Sequence, residues 1–321
     1  MKDLKNTSYE VIIENNNNFL NPGSIVYGKV LERLLYFICI PGVIVNLIIF
    51  YKQIKTLKKT KSRSTTINLQ FLSMMTFSDT MSLLCILFSA SFNKYLDLSN
   101  IISTISCKIN LFIIQTATAF SIWCWFVLSG IRYMAVFKPY THLKLYYEPL
   151  YTTIVILFII CFFESKTVYN IEYLPILKVC IDTNEKARKL LNVIEIVSSY
   201  LFPFIFIFIM DIKILCWKRE STKTFGIIHK RSGNKWKIIR CGLFITITDL
   251  LMNLPSYTIR FYTLVIPRDD LNDLYKSKIF SIIYIISQVL YFSQFFLNCL
   301  YLYTIVYRSQ NHSKKCKRSF S

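Results

Sequence analysis

Apolar residues in this chain gather into long runs, separated by shorter polar segments. A helix that crosses a bilayer needs roughly 20 mostly apolar residues. The pattern predicts seven such spans: Leu34–Tyr51, Thr66–Ser91, Cys107–Phe137, Leu150–Phe163, Leu190–Leu215, Trp236–Val265 and Ile279–Tyr307. The fourth rests on a short run, "TTIVILFIICFF", followed by Glu164 and Lys166. The third is long and, at about 1.5 Å per residue, crosses tilted. Residues 1–33 form a polar N-terminal tail with an asparagine tract, Asn15 to Asn18, and no apolar core of a cleavable signal peptide. Residues 34–307 hold the spans, and 308–321 a basic tail. No internal repeat is visible, which speaks against an inverted-repeat transporter. The expected fold is an all-α membrane protein, a seven-transmembrane helix bundle.

Composition agrees: 54% hydrophobic residues and a mean hydropathy of +0.42 are too apolar for an ordinary soluble domain. The net charge of +20 would suit nucleic acid if it were spread over one surface. It is not. Lys52, Lys55, Lys58, Lys59, Lys61 and Arg63 follow the first run with no acid among them. Lys213, Lys218, Arg219, Lys223, Lys230, Arg231, Lys235, Lys237 and Arg240 surround the gap between the fifth and sixth, and Arg308, Lys314, Lys315, Lys317 and Arg318 fill the tail. Membrane proteins keep cations of this kind in cytoplasmic segments. The expectation is an outside N-terminus, a cytoplasmic C-terminus, multi-pass insertion in the plasma membrane and no nucleic-acid partner.

That topology sorts the cysteines. Cys107 and Cys180 are the two on the outer, oxidising side, so a disulfide between them is expected; the alternative is two free thiols. Asn6 in "NTS" is an outer glycosylation acceptor, whereas Asn311 in "NHS" is cytoplasmic and stays bare. Cys316, among tail cations, suits palmitoylation with attraction to anionic membrane lipids, against the alternative of a solvated basic tail.

Polar groups inside a bilayer are costly, so each marks a functional hypothesis. The runs contain Asn46, Asp79, Gln115, Ser121, Ser129, Asp249, Asn253, Gln288, Ser293, Gln294 and Asn298. Interhelical hydrogen bonding is the plainer role for most of them. A carboxylate at mid-depth, Asp79 above all, must be paired, protonated or hydrated. Pro203 and Pro255 each remove a backbone donor and predict kinks, with Pro255 a candidate hinge. His142, His229 and His312 lie in cytoplasmic segments, and neither HExxH nor a phosphate-binding glycine loop occurs, so no enzyme is expected. Asp79 and Asp249 leave open a seven-span transporter or ion-coupled channel with a proton or cation relay.

Taken together these positions resemble the rhodopsin-like (class A) family of G-protein-coupled receptors, in a divergent invertebrate peptide or orphan form. Asn46, Asp79 after Ser78, Cys107, Arg132 at 25 residues beyond Cys107, "RYMAVFKP" running to Pro139, Pro203, Pro255 and Asn298 match the family's spaced residues. The sequence departs from it at Ile131, where an acid normally precedes the arginine. It departs again at Asn253, two residues before Pro255, at Cys299 and Leu302 after Asn298, and in lacking the helix-four tryptophan. The resemblance implies an extracellular ligand, a heterotrimeric G protein meeting Arg132 and Tyr133, and a polar core of Asn46, Asp79, Ser121, Asn253, Gln294 and Asn298 that resembles the family's sodium pocket near Asp79, with a water-filled network as the alternative. Ile114 stands where amine receptors carry an aspartate, and the last run has no retinal-binding lysine, so a peptide is the expected ligand. Gln115, Tyr257 and Arg260 are the pocket candidates, with an interfacial anchor as the alternative for Arg260. Without an acid at Ile131, and with Lys235 and Lys237 at the start of the sixth run, the expectation is ligand-free signalling or a rest state held by other contacts.

Overall fold

A computed structural model of the chain describes residues 22–60, 63–95, 100–137, 149–165, 168, 171–174, 179–182, 190, 193–224, 233–266 and 277–318. In order these form α1 (Pro22–Leu57), α2 (Arg63–Tyr95), α3 (Asn100–Phe137), α4 (Pro149–Glu164), an antiparallel hairpin of β1 (Ile171–Leu174) and β2 (Val179–Asp182), a π-helical turn (Val197–Leu201) leading into α5 (Phe202–Thr224), α6 (Gly233–Val265) and α7 (Lys278–Arg318). Five helical segments are long and apolar enough to cross a membrane: Val30–Leu57, Thr66–Ser91, Ile101–Phe137, Val193–Cys216 and Lys278–Asn298. Tyr151–Glu164 in α4 is apolar but shorter.

The helices outrun the apolar runs that announce them. α1 begins at Pro22 rather than Leu34, α3 at Asn100 rather than Cys107, and α7 continues to Arg318 through the segment expected as a tail. The bilayer fixes the length of the apolar stretch, but a helix once nucleated extends at little cost into polar sequence.

Polarity is distributed inside out. Asn46, Thr76, Asp79, Ser82, Ser129 and Ser287 are fully buried, while Phe37 is 78% exposed, Ile101 and Phe158 73% and Phe162 70%. Water would not tolerate so much apolar surface, and a bilayer requires it. The pattern is that of a multi-pass membrane protein.

The helices pack as neighbours in sequence, α1 on α2 and α2 on α3, and α7 closes the bundle against α1 and α6, while α3 also contacts α4 and α5. Polar atoms tie several of these seams. Asn46 Nδ2 donates to Phe295 O of α7 at 3.2 Å and to Gly42 O at 2.8 Å. Ser78 Oγ donates to Ala117 O of α3 at 2.6 Å, and the Tyr36 and Ser91 hydroxyls meet at 3.0 Å. At Gly42 a Cβ would lie 2.9 Å from Leu83 Cδ1, so the missing side chain lets α1 close on α2.

Two apolar clusters fill the bundle. One joins Phe71 and Met75 of α2, Phe120, Cys124 and Leu128 of α3, Ile160 of α4 and Ile207 of α5. The other joins Cys39, Leu83, Tyr200, Tyr257, Tyr291 and Phe295. Pro255 lies inside α6 as expected. Pro203 is the second residue of α5, directly after the π turn, whose Phe202 N–H donates to Val197 O. The extra residue in that turn resets the hydrogen-bond ladder where proline lacks a donor. Pro41, inside α1, is a third proline of this kind.

Candidate functional site

Three polar centres lie along the bundle. The first is at the α3 C-terminal end. Arg132 is half-buried; its Nε donates to Leu128 O at 3.2 Å and its Nη2 to Ser129 Oγ at 3.1 Å. The guanidinium therefore lies back along its own helix. Ile131, at the position where the resemblance leads one to expect an acid, packs against the apolar cluster of Phe71, Cys124 and Leu128. Tyr133 turns to Phe137, ring centroids 4.6 Å apart.

The second centre is in mid-bundle. Asp79 is fully buried, with the Ser121 and Asn298 side chains nearest its carboxyl. Neither carboxyl oxygen has a partner at hydrogen-bonding distance among the described residues. With its amide oriented to satisfy both atoms, Asn298 Nδ2 donates to Asp249 Oδ1 at 2.6 Å and Oδ2 at 3.2 Å. Asp249 interacts electrostatically with Asp79, so Asn298 stands between two acids. Asn253 donates to Gln294 Oε1, joining α6 to α7. Ser121, Asp249, Asn253, Gln294 and Asn298 line a cavity of about 510 Å³, open mouth included, together with aromatic residues such as Trp125 and Tyr200. Asn46 serves the α1–α7 seam instead.

The mid-bundle set gathers oxygen donors of the kind a small hard cation takes. Such ions take oxygen ligands, and Asp79 offers two buried carboxyl oxygens without bonded partners, beside the Ser121 hydroxyl. Among the described residues no group of three or more His, Cys, Asp or Glu side chains gathers that could hold a metal ion of either kind.

The third centre is at the opposite end from Arg132. Arg260 Nη1 lies 3.8 Å from Glu195 Oε1. Its guanidinium carbon sits 5.6 Å from the Tyr257 ring centroid and 5.5 Å from that of Tyr291. Tyr257 stacks on Tyr200 at 4.0 Å, and the Tyr200 hydroxyl reaches Leu250 O at 3.5 Å. The Arg260 side chain remains 40% exposed and lies over the aromatic rings of Tyr257 on α6 and Tyr291 on α7. Gln115 is half-buried on α3 and is not among the side chains lining the cavity. Cys107, near the start of α3, is half of a disulfide. Cys180 lies on β2 opposite Tyr173 of β1, the strand that packs on α3.

No family model matches the chain. One curated relative does. The chain is 24% identical over 334 aligned residues to the probable G-protein coupled receptor AH9.4 of Caenorhabditis elegans, an alignment covering 86% of this chain and 90% of that protein. The similarity thus extends over most of the chain rather than one helix pair.

Two site residues escape a reading of the sequence that stops at Asp79 and Asp249. Glu195 and Asp211 are also acids inside an apolar run, the fifth, and the same signal marks them. Asn6 lies outside the described residues. Cys316 falls on the α7 backbone, and its side chain lies outside the described set.

Proposed function

We propose that the chain is a rhodopsin-like G-protein-coupled receptor with seven spans, its N-terminus outside and its C-terminus in the cytoplasm. It takes an extracellular ligand, of peptide type, at the end of the bundle bearing Arg260, Tyr257 and Gln115. It activates a heterotrimeric G protein at the end bearing Arg132 and Tyr133. The observation that carries this reading is Arg132 itself: a half-buried cation at the end of the helix whose other end holds a disulfide cysteine, bonded only to its own helix among the described residues. The long alignment with a probable receptor supports the same reading.

In this account the ligand draws on the Arg260 cluster, α6 swings about Pro255, and the mid-bundle network of Asp79, Asp249, Asn253, Gln294 and Asn298 rearranges between the two ends. A sodium ion held by Asp79 and Ser121 would favour the resting arrangement. Cys107 pairs with Cys180, fastening the hairpin to α3; Asn6 carries glycan, and acylated Cys316 holds the tail on the membrane. A screen of neuropeptide libraries in reporter cells tests the reading. At least one peptide should evoke a G-protein response that Arg132→Ala removes at equal surface expression.

The two acids inside the bundle, Asp79 and Asp249, favour a second reading as a seven-span transporter or ion-coupled channel. Flux of ions or protons in vesicles, lost in Asp79→Asn and Asp249→Asn and unaccompanied by any G-protein response, would replace the first reading with this one.

A further inference from the structure

We propose that Asp211 on α5 is the counter-charge that holds Arg132 in the resting bundle, in place of an acid beside it on α3. The restraint on signalling rests on the receptor reading above; the pairing of the two side chains does not.

A buried carboxylate needs a compensating charge or hydrogen bonds. Asp211 is 3% exposed and sits in a stripe with Ile207, 3%, and Ile214, 0%. Spacings of four and three residues put all three on one face of α5. That face is turned to α3, because Ile207 shares an apolar cluster with Cys124 and Leu128. Arg132 is one turn beyond Leu128, and Asp211 one turn beyond Ile207.

The helices run side by side in the same direction. Trp123 stacks on Phe202 at 5.9 Å, and one turn on Phe126 meets Phe206 edge-on at 6.3 Å. Arg132 follows Trp123 by nine residues and Asp211 follows Phe202 by nine, so the register that joins the aromatic pair brings the two charges to one level. A Coulombic interaction between Arg132 and Asp211 accompanies this arrangement. Charges in a region poor in water act over longer distances than in bulk solvent. Asp211 therefore acts on Arg132 although the guanidinium spends its hydrogen bonds on Leu128 and Ser129. Ile131, packed in the apolar cluster, has no charge to offer.

The test uses the full chain. In detergent, thermal midpoints are measured for Asp211→Asn, Arg132→Gln and the double variant. Asp211→Asn is expected to lower the midpoint by about 2–4 °C, and by less than half as much in the Arg132→Gln background. Additive shifts would overturn the pairing. In cells, at matched surface levels, Asp211→Asn is expected to raise ligand-free G-protein signalling about fivefold or more. The rise should vanish when Arg132→Ala is added, and Asp211→Glu, which keeps the charge, should restore at least half of the restraint. Non-additive midpoints with unchanged ligand-free signalling would overturn the restraint and leave the pair. If no form of the chain acts on any G protein, the receptor reading has failed, and the restraint with it; the thermal cycle still decides the pairing.

Discussion

Two arginines at opposite ends of the bundle are held in different ways. Arg260 belongs to α6 but is gripped by others: Glu195 ahead of α5, Tyr257 on its own helix and Tyr291 on α7. Arg132 hydrogen-bonds to Leu128 and Ser129, within α3. A cation shared among three helices resists their separation and reports on anything that enters between them. Arg132 spends no hydrogen bond on a neighbour among the described residues, and on the proposed pairing only the charge of Asp211 reaches it from α5. The first arrangement suits recognition at a fixed surface, and the second suits a contact that is uncovered when the bundle opens.

Four perturbations bear on how the two ends and the centre between them are held, the costliest first. Ile131→Asp restores the acid that the receptor resemblance leads one to expect, but sets it in an apolar cluster with Phe71, Cys124 and Leu128. A loss of about 2–3 kcal/mol is expected for burying it there, read as a lower thermal midpoint; unchanged stability would mean the site admits a charge. Arg260→Ala strips a cation from two ring faces and takes the ion-pair partner from Glu195. Because the arginine is 40% exposed, solvent screening limits the loss to about 1–2 kcal/mol. No loss at all would make Arg260 an interfacial anchor.

Sodium in place of choline is expected to stabilise the chain by about 1 kcal/mol when present at several times its dissociation constant, with no such gain in Asp79→Asn. Equal gains in both would remove sodium from the mid-bundle centre. Gly42→Ala is expected to cost least, about 1 kcal/mol. Its new methyl meets the end of the Leu83 side chain, which can turn aside. A neutral result would show that the α1–α2 seam is looser than its spacing.

The helices were legible in the sequence because a bilayer imposes its thickness on them as unbroken apolar runs. Their ends were not, since α1 from Pro22 and α7 to Arg318 continue through residues that the bilayer does not select. The π turn before Pro203 was hidden as well. Proline announces a fault in the ladder, but the ladder has several ways to absorb one, and Val197–Leu201 carries no residue that selects among them. Single polar residues inside apolar runs singled out Asp79, Ser121, Asn253, Gln294 and Asn298, and all of these are buried. Their partners were another matter: that Asn298 bonds Asp249, while Asn46 ties α1 to Phe295, depends on how the helices rotate and pack. Glu195 and Asp211 were readable by the rule that singled out Asp79.

The central claim is that Arg132 is the contact through which this bundle acts on a G protein. Nucleotide exchange by a panel of heterotrimeric G proteins, measured with membranes holding the full chain or its Arg132→Ala form at equal amounts, tests it most directly. The account predicts ligand-free exchange above that of empty membranes on at least one G protein, and its loss in Arg132→Ala. Equal exchange above the empty-membrane level by the two forms would contradict it.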